Sequence, residues 1–214
     1  MRPRAEQGPT LDRRAVPAVG LVLLLAACST SGKTPVAREV RDANGFTIIQ
    51  EARVGPGTRG DFERALQLLE RQQNQAGIAL LESVTQAAPE LTAAHINLAM
   101  VYGRVGDLER ARVSLERALE LNPRHPVAHN ELGVVYRRSG RFDDARRSYE
   151  QALAIYPDFH FARRNLAILC DLFLADVDCA LEHYERYAQV VPDDEQVAMW
   201  IADLRTRTGR QDAP

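Results

Sequence analysis

A period of 34 residues constrains this chain more than any other feature. When Thr92–His125 (TAAHINLAMVYGRVGDLERARVSLERALELNPRH) is set above Pro126–Phe159 (PVAHNELGVVYRRSGRFDDARRSYEQALAIYPDF), Leu98 falls over Leu132, Tyr102 over Tyr136 and Gly106 over Gly140. Ala111, Ala118 and Pro123 likewise meet Ala145, Ala152 and Pro157. Self-similarity at this period marks a stack of helix–turn–helix units, none of which buries its apolar face alone. Each slot has a physical reason. Leu98, Leu132, Tyr102 and Tyr136 recur at helical spacing and fill the core. Ala111 and Ala145 are small where two antiparallel helices must approach closely. Gly106 and Gly140 stand in the short turn, where positive φ is cheap only for Gly. Pro123 and Pro157 stop the second helix.

These residues resemble the tetratricopeptide repeat, and the resemblance implies an all-α solenoid of helical hairpins. The period extends upstream, because Pro89 precedes Pro123 by 34 residues, Gly77 replaces Ala111 and Gln72 replaces Gly106. Helices are expected over Asp61–Gln72 and Gln75–Ala87. Downstream, Asn165-Leu166-Ala167 repeats Asn97-Leu98-Ala99, but Ala180, Tyr184 and Pro192 arrive one residue late. An insertion in the turn near Leu172–Asp176 accounts for that. The expected units are residues 58–91, 92–125, 126–159 and 160–192, followed by a capping helix within 193–209. Asp193, Asp194 and Glu195 suit the N-terminus of that cap, and Gly209 suits its end.

Residues 1–27 read as a targeting segment: arginines culminate in Arg13-Arg14, and the apolar run Ala15–Ala27 is too short to span a bilayer. The run ends in Leu25-Ala26-Ala27-Cys28, which resembles the lipobox of bacterial lipoproteins. The chain as a whole is therefore similar to tetratricopeptide-repeat lipoproteins of Gram-negative bacteria. That resemblance implies acylation of Cys28 (palmitate or a similar chain), with two or three chains giving a lasting anchor. Ser29, where an Asp would signal retention in the inner membrane, implies the periplasmic face of the outer membrane. Residues 28–57 then form a lipidated tether. Within it Phe46–Val54 is rich in β-branched residues and reads as an extended segment. It is expected to lie along the first helices or to add to a partner's sheet, a hairpin onto Glu39–Asp42 being the remaining option.

Composition excludes little but is consistent with this reading. The formal charge is −2, and removing a leader with four Arg against Glu6 and Asp12 takes it to −4, which favours no nucleic acid. No catalytic constellation, metal site or cofactor motif stands out. His125 and His129 are four apart, but Pro126 separates them and His125 precedes the helix. Cys170 occupies the slot of Tyr102 and Tyr136, and Cys179 lies across the turn. The two either bridge or remain buried thiols, and the irregular turn leaves that open.

In the tetratricopeptide fold the first helix of each repeat lines the concave surface. By position this lining is Ile96, Met100 and Arg104, then Asn130, Val134, Arg137 and Arg138, then Phe161, Arg164 and Ile168. An apolar stripe flanked by Arg suits a protein or peptide partner with apolar anchors and an acidic flank. The resemblance implies a non-enzymatic scaffold of the cell envelope, serving pilus or secretion machinery, peptidoglycan-hydrolase recruitment or a TonB-type system. The alternatives are a periplasmic small-molecule-binding protein and a self-assembling structural protein. The oligomeric state is left open.

Overall fold

A computed structural model describes residues 34–41 and 47–210, with side chains from Val54 to Arg210. The expectations for the leader, for Cys28 and for Ser29 lie outside the described residues.

The extended segment has a partner within the chain. Strand β1 (Thr34–Arg41) pairs antiparallel with β2 (Thr47–Val54), Thr34 opposite Val54 and Arg41 opposite Thr47. This hairpin is longer than the pairing with Glu39–Asp42, because β1 begins five residues before Glu39. Thr34, Val36 and Val40 favour a strand but Pro35, Ala37 and Glu39 do not, so β1 carries only a weak strand signal of its own. Where β2 ends, Val54 is buried in one cluster with Phe62 and Ala65, which ties the hairpin to the first helix.

Nine helices follow among the described residues: α1 (Pro56–Glu70), α2 (Asn74–Ala87), α3 (Thr92–Val105), α4 (Leu108–Leu121), α5 (Pro126–Arg138), α6 (Phe142–Ile155), α7 (His160–Leu172), α8 (Val177–Val190) and α9 (Glu195–Thr208). They form four antiparallel hairpins and a closing helix, the solenoid that the 34-residue period predicts. Helix α1 starts five residues earlier than Asp61. Pro56 sits in its first turn, where its missing N–H costs nothing and its fixed φ suits the helix. No described helix is long and apolar enough to cross a membrane.

The turns follow the slots. Gly106 (φ 88°) and Gly140 (φ 73°) are left-handed. Gln72 takes the same conformation at φ 60° without being Gly, and Ala175, in the insertion, does so at 51°. A left-handed L-residue is strained by roughly 1–2 kcal/mol, so Gln72→Gly is expected to raise stability by about 1 kcal/mol, read as a higher urea midpoint at unchanged m. An unchanged midpoint would show that the turn stores no strain.

One large side chain per repeat fills the space between hairpins: Leu81, Leu115 and Tyr149 are 0% exposed and Tyr184 is 1% exposed. Ala111, Ala145 and Ala180 are fully covered where the helices of each hairpin approach. Tyr149 also explains Gly133, since a Cβ there would lie 2.5 Å from Tyr149 Cε1, against a rigid ring. A Cβ on Gly77 would press chiefly on Leu69 Cδ2, and that flexible side chain can turn away. Gly→Ala in a helix ordinarily gains about 0.5–1 kcal/mol. Gly133→Ala should instead cost about 1–3 kcal/mol by overpacking, while Gly77→Ala should be near neutral. Parallel denaturant melts compare the two, and equal effects would mean Tyr149 does not set the spacing.

Cys170 and Cys179 form a disulfide with Cα atoms 5.9 Å apart, which decides between the two states left open by the sequence. It closes the α7–α8 hairpin across the irregular turn.

Candidate functional site

The odd-numbered helices touch one another from repeat to repeat, α1 to α3, α3 to α5 and α5 to α7, whereas each even-numbered helix packs chiefly on the odd helices before and after it. A stack drawn together along one side curves toward that side, so the odd helices form the inner face.

The structure spreads the sequence-predicted lining over that face unevenly. Met100 and Phe161 are open, 41% and 51% exposed. Val134 and Ile168 are half-buried and, with Met100, recur every 34 residues as an apolar column. Ile96 and Asn130 are buried at 5% and 3% exposure, so they shape the floor rather than offer a surface. Asn130 is held in a chain of amides: Asn165 Nδ2 donates to Asn130 Oδ1 (3.0 Å), and Asn130 Nδ2 donates to Glu131 Oε1 (2.9 Å). Burial pushes the Glu131 carboxyl above the usual carboxylate range, against the opposing pull of the Asn130 amide.

The four arginines are already committed. Arg104 Nη1 donates to the Leu69 carbonyl (3.3 Å) and Arg138 Nη1 to the Gly103 carbonyl, each 35 residues earlier, near the C-terminus of the preceding inner helix. A guanidinium suits that place, because the last carbonyls of a helix are unpaired and carry partial negative charge. Arg137 Nε donates to the Tyr149 hydroxyl (3.4 Å), and its guanidinium lies 5.8 Å from the Phe173 ring centre. Arg164 reaches Gln196 (3.3 Å) and Asp194 (3.8 Å) and lies over Trp200. Arg104, Arg138 and Arg164 thus reach across joints of the stack and Arg137 reaches Tyr149 of its own hairpin, while Arg104 and Arg138 stay exposed.

The fourth position of the last three repeats has a comparable task. His95 Nε2 donates to the Pro89 carbonyl (3.0 Å), His129 Nε2 to Pro123 (2.9 Å) and Arg163 Nη2 to Pro157 (2.6 Å). Each bond spans six residues and closes the carbonyl left open where an outer helix ends. That Arg163 can replace His shows the slot selects a long donor as well as a bulky ring.

At the C-terminal end of the face the sequence reading missed a cleft of about 360 Å³ beside Phe161, walled by Tyr187, Val190 and Val191 and rimmed by Asp193 and Asp194. Tyr187 donates from its hydroxyl to Asp194 Oδ2 (2.8 Å), and Asp194 Oδ1 caps α9 at Val197 N (3.1 Å). The only hint in the sequence was Val190-Val191-Pro192, an apolar pair ahead of the proline.

The tetratricopeptide-repeat family model matches residues 89–158. No curated relative matches the chain. Among solved structures, the chain is similar to a thermophilic tetratricopeptide-repeat protein of Thermus thermophilus (25% identity over 69% of this chain and 80% of that one, TM-score 0.61). It is also similar to MamA of Desulfovibrio magneticus RS-1 (16% identity, 73% and 88% covered, TM-score 0.64). A third likeness is to Pseudomonas aeruginosa pilF (21% identity, 71% and 68% covered, TM-score 0.65). Repeats of this kind generally mediate protein–protein contacts. The two central repeats thus match the tetratricopeptide family model, and the chain has the fold of a tetratricopeptide-repeat solenoid.

Proposed function

We propose that the chain is a non-enzymatic adaptor, acylated at Cys28 and held on the periplasmic face of the outer membrane, that seats a protein partner of a cell-envelope assembly along its inner face. The observation that carries this reading is the column Met100, Val134, Ile168 together with the exposed Phe161, on α7 like Ile168, and its cleft, apolar ground for the anchors of an extended or helical peptide. Because the arginines are engaged, the apolar anchors supply the larger part of the grip. The lipobox-like Leu25-Ala26-Ala27-Cys28 supports the anchor, and the pairing of such a leader with these repeats supports an envelope role in pilus or secretion machinery, hydrolase recruitment or a TonB-type system.

The test is affinity capture from envelope extracts with the parent chain and a Met100→Ser/Phe161→Ser variant. Both side chains are exposed, so the variant should keep its melting temperature and lose its partner at least tenfold. Cys28→Ser should move the protein from the membrane to the soluble fraction. Full partner retention by the double variant would place binding elsewhere, and a mature chain without fatty acid would remove the anchor.

A further inference from the structure

Cys170 lies buried in the last turn of α7, Cys179 is half-buried in the first turn of α8, and Asp176 caps α8 from the turn between them. The two sulfurs and a carboxylate oxygen of Asp176 all lie within 4.8 Å of one another. Asp176 Oδ1 accepts from the Cys179 N–H (3.2 Å), and Arg146 Nη2 donates to Asp176 Oδ2 (2.6 Å) while standing 3.5 Å from Cys170 Sγ.

The fold, rather than the S–S bond, brings these three positions together. The same slots in the second repeat hold Tyr102, Arg110 and Asp107, where Arg110 lies 4.4 Å from the Tyr102 ring centre and its Nε is 2.5 Å from Asp107 Oδ2. In the third repeat they hold Tyr136, Asp144 and Arg141, with Arg141 4.3 Å from the Tyr136 ring centre and 2.6 Å from Asp144. Two repeats without cysteine bring side chains from these slots together by an ion pair and a cation–π contact with no covalent bond, so the hairpin itself sets how close the three positions lie.

We infer that Cys170, Cys179 and Asp176 form a redox-gated site for a thiophilic divalent cation of the zinc type: a disulfide when oxidised, a two-thiolate, one-carboxylate metal site when reduced. A dithiol reductant supplies two electrons and two protons to the disulfide and leaves as its own cyclic disulfide. The two thiols then each give up a proton as the cation binds. Two thiolates at about 2.3 Å from such a cation place their sulfurs roughly 3.8 Å apart. With Cα atoms 5.9 Å apart, side-chain rotation can provide that spacing without moving either helix.

The surroundings favour ionised sulfur. Cys179 sits in the first turn of α8, where the helix dipole stabilises a thiolate, and the Arg146 guanidinium adds positive charge beside Cys170. The third ligand is a carboxylate, charged at neutral pH, and pairs with Arg146 at 2.6 Å. Asp176 and Cys179 are partly exposed, which leaves a side open for water as fourth ligand. Two soft ligands of three disfavour magnesium and calcium. Either state ties α7 to α8, through S–S or through sulfur–metal–sulfur.

The experiment uses the full chain with Cys28→Ser, so that Cys170 and Cys179 are its only thiols. It is reduced with dithiothreitol, desalted without oxygen and titrated with Co²⁺, then Zn²⁺. The reduced protein should show thiolate-to-cobalt charge-transfer and tetrahedral ligand-field bands that Zn²⁺ erases, and the oxidised protein should show neither. Asp176→Asn keeps a capping side chain and should weaken Co²⁺ at least tenfold. Absence of the bands in the reduced protein would overturn the proposal, as would Asp176→Asn binding at parental affinity.

Discussion

Tyr149→Ala should lower the unfolding free energy by about 3–5 kcal/mol, the largest single-residue loss expected in this chain. Its ring is 0% exposed and belongs to one cluster with Ala145, Leu166, Ala167, Leu169 and Cys170, so it joins the third hairpin to the fourth. Truncation removes the ring and leaves a cavity that Gly133, having no side chain, cannot help to fill. It also strips Arg137 of the hydroxyl it donates to. Tyr149→Phe separates the two contributions, since it keeps the ring and deletes only that 3.4 Å bond. It should cost at most about 0.5–1.5 kcal/mol. Urea melts of both variants at constant pH measure this, and a Phe variant as damaged as the Ala variant would mean that the hydrogen bond, not packing, holds the joint.

Tyr149 also illustrates what the sequence made legible. Its slot, and those of Leu81, Leu115 and Tyr184, follow from the period, because every repeat solves the same packing problem. Gln72 and the insertion before Val177 were visible for the same reason: each is a departure from a regular pattern. The β1 strand was legible only as the hairpin option onto Glu39–Asp42, and its extent back to Thr34 was not, since a short, charged segment takes its strand form from its partner. The candidate groove was legible as a face and not as a surface. Position along a helix tells which side a residue takes, but not whether a neighbour covers it, as happens to Ile96 and Asn130. Nor does it tell which neighbour a guanidinium reaches: Arg104 and Arg138 reach back to the preceding repeat, Arg137 to Tyr149 of its own. The cleft beside Phe161 lay beyond reach because its walls come from α7, α8 and the connection to α9, joined by no local pattern.

His125→Asn should remove most of a stability loss that the parent chain suffers in acid. His125 is 4% exposed and stands at the N-cap of α5, where its Nδ1 accepts from the Ala128 N–H at 3.3 Å. Burial pushes its pKa down to about 4, with the neighbouring His129 adding in the same direction. In the unfolded chain the imidazole takes up a proton near pH 6.5, whereas the folded one resists until about pH 4. Above pH 6.5 both states carry it neutral, and it gives no pH dependence. Between 6.5 and 4 the unfolded state binds more protons, so stability falls as pH falls, by about 3 kcal/mol across the window. The chemistry agrees with the sign: a proton on Nδ1 occupies the lone pair that caps α5. Asn offers a capping oxygen without a titrating group. The readout is the slope of unfolding free energy against pH from 7 to 4.5 in parent and variant. His95 and His183, whose pKa values burial also lowers, should leave the variant a shallower slope of the same sign. Parallel slopes in the two proteins would show that His125 is not held neutral in the folded state.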